Sequence, residues 1–480
     1  MKTLYKNSRL RLLIAFLGLL TFSACSEDFP KNIESTNEVV LKSIKILNAG
    51  ADGNTVVEGT VNEQTKAVSF PRIDPETDFS AIRFEAEMSQ GATLDKETYE
   101  IPFQEGDAEK SIIIKTVNNM RFREYIVTIR LRVPVFGADF TNETVYDFTT
   151  NPLGSPVYPT FVSLSTRGSG FDGEHVLIVT RAAGGSHLLN VEDLKNDRIA
   201  PIALNQTGVE QGTFTVNTGA QINGHTYIAN LSGGTAASPL KIYHWTDPSA
   251  APEVIASLDL STIPGSGGRH GDNISVNLDE NGNGYMYFGD NTASQSVKIL
   301  RFKVTNYTTI SEPISFATPL TNPGNWVNFN RVGTTSEYLY TGHDAPIAVV
   351  NEGGTVSYTM SRTSIPVRGQ DARVANFNGE RYLIMTTGAR GGSDPTVLYV
   401  YNITRGNTVA EALDIFESSG NTSPVFEYSL MGSANAAPTT QTAFVIKKDA
   451  EGNDETLTIY TATTDAGFVI IDIPKKQLED

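Results

Sequence analysis

The sequence predicts an all-β protein, a small β-sandwich followed by a β-propeller, and three observations carry that expectation. Short segments that alternate apolar and polar residues, each closed by Gly, Pro, Asp or Asn, follow one another along most of the chain after residue 38. From residue 136 onward they recur as a three-strand pattern six times, at a spacing centred near about fifty residues. The 41 glycines, 23 Phe and 18 Tyr favour strands and tight turns over helices.

Size and charge set outer bounds. A chain of 480 residues exceeds one ordinary core, so two or three domains are expected. With 39% hydrophobic and 19% charged residues it belongs with folded proteins rather than disordered ones. A formal charge of −17 argues against nucleic acid as a partner, because a polyanion would be repelled.

The first element is a leader, residues 1–24. Lys2, Lys6, Arg9 and Arg11 form a basic start, Leu12 to Leu20 an apolar stretch too short to span a bilayer, and Ser23 and Ala24 precede Cys25. Cys25 is the one cysteine in the chain, so no disulfide is available and the cores must hold alone. "FSAC" resembles the lipobox of bacterial lipoproteins, with Phe22 where Leu is usual. The resemblance implies that Cys25 is acylated and becomes the new amino terminus; a plain secretory signal is the alternative. Glu27 and Asp28 resemble the acidic export tag of Bacteroidetes surface lipoproteins, which implies an outer-membrane anchor facing outward. At ~0.8 kcal/mol per buried CH₂, several acyl chains make such attachment nearly permanent. That anchor is the expected membrane contact, since no later apolar run is long enough to cross.

Residues 25–37 are polar and aperiodic and read as a flexible tether. Residues 38–134 hold about seven short strands, among them "KSIKIL", "SAIRFEAEM", "KSIIIKTV" and "EYIVTIRLRV". Alternation of Tyr125, Val127, Ile129 and Leu131 suits a half-buried strand of a two-sheet sandwich. This region resembles the Ig-like or cadherin-like modules of Bacteroidetes surface lipoproteins, which implies a spacer role.

Residues 136–478 carry the repeat. Each unit has an apolar strand, a Gly/Asn/Asp turn, a stronger strand and a third, as in "GTFTVNTGAQINGHTYIANL" followed by "LKIYHW". Six four-stranded blades are expected, with seven blades or an open solenoid as alternatives. The last unit stops after its third strand, and "ADFTNETVYDFTT" is spare and can supply the missing outer strand. "YHWTD" looks like one copy of the YWTD propeller signature, and WD40, kelch and sialidase patterns are missing. The layout resembles uncharacterised Bacteroidetes lipoproteins that join an Ig-like module to a propeller, and that family offers no catalytic residues to transfer.

The blade pattern divides the loops between two faces. One face carries tight hairpins, "FDGE", "ING", "DENGNG" and "FNGE". The other carries the blade crossings and second-to-third strand loops, and it is richer in chemistry. Its candidate ligand residues are Arg181, Arg269, His270, Asp272, Asp290, Trp326, His343, Asp344, Arg368, Asp371 and Arg390. Arg can grip carboxylates bidentately, Asp can bond sugar hydroxyls and Trp326 offers a stacking face. Polar loops are also ordinary surface, so the face as a whole carries the expectation rather than any single residue.

Catalytic and metal readings are weaker. Asp272, Asp290, Asp344 and Asp371 include enough carboxylates for a glycosidase pair, but their separations are not legible in sequence. His270 and His343 could ligate a metal with neighbouring Asp residues, but six His in all and no HxH or HExxH spacing count against it. "DENGNG" matches the opening of a calcium loop, yet lies where a hairpin turn is expected. No cofactor is expected. The leading expectation is a polar extracellular ligand, a glycan or glycoconjugate such as a polysaccharide. A propeller glycoside hydrolase or lyase and a platform for outer-membrane protein partners are the alternatives.

Overall fold

The computed structural model describes residues 37–104, 107–133, 135–149, 158, 166–210, 215–266, 268–290, 298–317, 320, 323–324, 326–365, 369–388, 396–431, 439–464 and 466–477. The chain divides into two units between residues 134 and 135. Among the described residues no helix is long and apolar enough to cross a membrane.

The first unit holds β1 (Leu41–Ala49), β2 (Thr55–Asn62), β3 (Ala67–Ser69), β4 (Ile82–Met88), β5 (Thr93–Leu94), β6 (Thr98–Tyr99), β7 (Glu109–Asn118) and β8 (Arg121–Arg130). They hydrogen-bond in the order β5-β7-β8-β3-β2-β1-β4-β6. The expected pair of sheets is thus one continuous sheet, curled into an Ig-like half-barrel. The joint is the short parallel pairing of β3 with β8, Val68 opposite Val127, a pairing between strands far apart in sequence. Inside the curl, Tyr125, Val127 and Ile129 alternate with exposed neighbours and pack with Ile44, Ile46, Phe84 and Ile114. The buried Tyr125 hydroxyl donates to Glu63 Oε2 at 2.6 Å and accepts from Leu41 N at 2.9 Å, so its polar end is satisfied.

The second unit is a propeller of six four-stranded antiparallel sheets. Blades 1 to 5 span residues 166–203, 218–258, 275–317, 328–359 and 369–429. Blade 6 takes three strands from residues 440–474, and its outer strand is β9 (Thr144–Asp147), with Ile471 opposite Val145. The spare segment therefore closes the ring as the repeat count demanded. Stacked rings line the closure: Phe148 lies 4.9 Å from Phe468, and Phe171 of blade 1 lies 5.1 Å from Tyr460 of blade 6. Each neighbouring pair of blades buries its own apolar wall, as where Tyr227 and Ile242 meet Met286 and Phe288.

Hairpin turns follow their sequences. Asn223–Gly224 and Asn378–Gly379 each place two successive residues at positive φ, the two-residue turn that Asn-Gly favours. Two helices were not anticipated. α1 (Val191–Lys195) is capped by Asn190, and α2 (Val409–Ser418) by Thr408, whose Oγ1 accepts from Glu411 N at 3.1 Å. Glu411 answers by accepting from Asn407 N at 2.9 Å, and Val409, Leu413 and Phe416 bury the inner face of α2. The short apolar periodicity of "VAEALDIFES" carries that helix.

Candidate ligand face

The innermost strand of each blade follows a crossing, so its first residues lie at the crossing face. Along blades 3 to 6 the polar side chains there reach sideways into the next blade. The Asn277 carboxamide imitates a peptide group: Nδ2 donates to Phe329 O at 2.8 Å and Oδ1 accepts from Arg331 N at 2.7 Å. Asn328 donates to Gln370 O at 2.9 Å, and Asn330 donates to Ala372 O at 2.9 Å and to Asp371. Asp371 accepts from Thr442 N at 2.6 Å, and Arg373 Nε donates to Thr442 O at 2.8 Å. These bonds stitch four blades together around the channel.

Asp371 is a strut in that belt. It is 1% exposed, with Arg373 Nη2 3.8 Å away. Burial pushes its carboxyl above the usual range, against the pull of Arg373 and of the Thr442 and Asn330 donors. Asp371 also lines a cavity of about 150 Å³ together with Ser169, Gln221, Asn328, Arg373, Thr442 and Tyr460 among others.

The corner of blades 1, 2 and 3 is built differently. Arg181, on the second-to-third strand loop of blade 1, donates through Nη2 to Asn217 Oδ1 and through Nε to Val216 O at 3.3 Å. Asn217 passes the contact on, donating to Asp272 Oδ1 at 3.1 Å and Gly271 O at 2.8 Å. Arg269 Nη2 lies 4.0 Å from Asp272 Oδ2, and the Arg269 side chain is 45% exposed. Arg167, on the inner strand of blade 1, acts on both Arg181 and Asp272 through its charge.

Local structure explains the placement. Gly271 has φ +104, and a Cβ there would meet Asn230 O at 1.9 Å, so only glycine lets the crossing pass this close. His270 is 0% exposed and its Nε2 bonds Ser266 O, while burial lowers its pKa and keeps it neutral. Asp290 accepts from Gly268 N at 3.4 Å and Arg269 N at 3.3 Å. His270 and Asp290 therefore shape the loop that presents Arg269. Burial raises the pKa of Asp272, opposed by Arg269, by the Asn217 bond and by Arg167 and Arg181. Arg181 is pulled down by burial and then by Arg167 and Arg269, with Asp272 acting the other way. Beside this corner an open groove of about 590 Å³ runs past Thr180, Arg181, Gly184, Gln206 and Thr215.

A second group sits between blades 4 and 5. His343 Nδ1 lies 3.1 Å from Asp344 Oδ1 on the wall of a cavity of about 250 Å³ that also meets Ser361, Arg362 and Met385. Trp326 is 5% exposed, with its ring edge-on to His343 at 5.5 Å. Its indole packs inward rather than offering an open stacking face. Arg368 and Arg390, like Cys25, lie outside the described residues.

The described members of the expected set thus divide into two clusters and one strut, Asp371. Loop chemistry does not mark Arg167 and Asn217, because "TRGSGF" and "NTGAQI" read as strands. On the hairpin face, Asp279 Oδ1 accepts from Asn281 N and Asn283 N, both at 2.9 Å, so "DENGNG" is a turn closed by its own carboxylate. Among the described residues no group of three or more His, Cys, Asp or Glu is placed to hold a metal. His244 and Trp245 are packing residues: His244 Nε2 lies 2.8 Å from His225 Nδ1, and Trp245 donates to Asn205 O at 3.0 Å.

A family model described as a domain of unknown function, DUF4623, matches residues 27–476. The crystal structure of a DUF4623 family protein from Bacteroides eggerthii is 41% identical and superposes with a TM-score of 0.74, covering 92% of this chain and 99% of that one. The chain therefore belongs to the DUF4623 family. An endo-arabinase from Bacteroides thetaiotaomicron aligns at 12% identity and TM-score 0.31, over 67% of this chain and 97% of its own. The WD40 propeller domain of Doa1 aligns at 11% and 0.32, over 65% and 94%. No curated protein matches.

Proposed function

We propose that this DUF4623-family chain is a surface-anchored binding protein whose propeller takes a polar extracellular ligand, a glycan or glycoconjugate, on its crossing face. One observation carries the reading: the open groove of about 590 Å³ beside Arg181, whose wall joins Thr180, Arg181, Gln206 and Thr215 to glycine backbone and a few small or aliphatic side chains. Such a wall suits a hydroxyl-rich chain, which needs many donors and acceptors and little apolar depth. The leader and Cys25 support an outward-facing lipid anchor, which would hold the propeller where extracellular glycans are met. Binding without turnover is the favoured mode. Asp290 and Asp371 are committed to backbone N–H groups, and Asp272 to Asn217, which leaves them holding structure.

Affinity electrophoresis of the purified full chain through gels cast with a panel of neutral and charged polysaccharides tests the reading. Retardation by at least one polymer, lost in Arg181→Ala, is expected. Migration unchanged by every polymer would overturn it. Lipid attachment is checked separately by the mass of the processed chain and its loss in Cys25→Ser.

A further inference from the structure

From the corner of blades 1 to 3 we infer an anion subsite, formed by the guanidinium groups of Arg167, Arg181 and Arg269 around Asp272 and Asn217, that takes a carboxylate or sulfate group. The inference rests on the binding reading above and specifies the charge of the ligand.

Charge balance is the first argument. The chain as a whole carries −17, so its general field repels anions. Here Arg181 reaches buried Asp272 through Asn217, Arg269 Nη2 lies 4.0 Å from it, and the charge of Arg167 acts on both Arg181 and Asp272. Like charges at short range raise each other's energy: burial lowers the Arg181 pKa first, and the charges of Arg167 and Arg269 lower it further. An arriving anion relieves that repulsion, so part of the binding free energy is built into the corner.

Geometry is the second argument. Arg181 is held at Nε by Val216 O and at Nη2 by Asn217, which fixes the plane of its guanidinium before any ligand arrives. Asn217 is fixed in turn by Gly271 O and Asp272. Arg269 is the exposed member, on a loop whose backbone Asp290 ties down. One preset fork and one exposed fork suit an oxyanion, which guanidinium groups bond through paired N–H groups. The adjoining groove gives the rest of a chain-like ligand a path away from the charge.

The test uses the purified full chain and matched polymers: dextran against dextran sulfate, and polygalacturonate against its methyl ester. The charged member of at least one pair should bind at least about tenfold more tightly, and the pair that responds identifies sulfate or carboxylate as the source. Added salt should weaken that binding. Arg269→Gln should remove most of the preference, with Arg269→Lys intermediate because it keeps charge but not the fork. The Arg269 side chain is 45% exposed, so neither variant removes buried packing, which the melting temperature checks. Equal binding of charged and neutral members would overturn the anion subsite and leave the glycan reading standing. If no polymer binds, inorganic sulfate against chloride at equal ionic strength decides between the two claims. A melting temperature raised by sulfate in the parent chain but not in Arg269→Gln upholds the subsite and rejects the glycan. No rise rejects both.

Discussion

Two arcs of the same ring treat their polar side chains in opposite ways. From blade 3 to blade 6, Asn277, Asn330 and Asp371 reach across to the next inner strand and satisfy its backbone. At the corner of blades 1 to 3, Arg181 and Arg269 converge on a carboxylate and an amide at the rim, next to an open groove. Both arcs are rich in polar residues, and both looked alike as loop chemistry. The difference lies in what each group bonds. A buried polar side chain that pairs with backbone is accounted for by folding, because an unpaired peptide group would cost more. Arg181 and Asn217 also bond backbone, but at this corner guanidinium groups of like charge lie beside one carboxylate next to an open groove, an arrangement suited to an anion.

That contrast breaks most visibly where a strut is removed. Asp371→Ala leaves Asn330 and Thr442 N–H groups and Arg373 without their buried acceptor, which should cost ~3 kcal/mol or more of stability. Denaturant unfolding measures it, and anion affinity of the folded fraction should be unchanged. Gly271→Ala comes next. It forces a Cβ against Asn230 O at positive φ, costs ~2 kcal/mol, and shifts Asp272 so that stability and anion binding fall together. Loss of stability with intact binding would mean that the crossing does not set the corner.

A smaller effect concerns pH. Burial holds the Asp272 pKa above the usual carboxylate value, with Arg167, Arg181 and Arg269 as the charged groups facing it. As pH falls through that raised value, the one opposing negative charge is neutralised, so affinity for dextran sulfate should rise a few-fold. Sulfate esters stay ionised across that range, which isolates the protein's contribution. In Asp272→Asn the rise should be smaller than in the parent, because the other carboxylates still lose charge as pH falls but this one is already absent; an equal rise in both would assign it to the other carboxylates.

Much of the architecture was legible in the residues themselves. Alternation, Asn-Gly turns and a truncated last repeat are local signals, and they sufficed for six blades closed by the segment around Thr144. The curled sheet of the first unit was not, because the pairing of β3 with β8 joins residues about 60 apart with no local mark. The site was legible only in part for the same reason. That Asp371 meets the Thr442 N–H depends on register between residues 71 apart. Arg167 escaped notice because it sits inside a strand, where its neighbours announce packing rather than binding.

The account rests finally on Arg269, the exposed guanidinium of the corner. Calorimetric titration of dextran sulfate into the full chain and into Arg269→Gln, at equal pH and ionic strength, tests it directly. The account predicts about tenfold weaker binding in the variant with an unchanged melting temperature. Equal affinity in two equally stable proteins would contradict it.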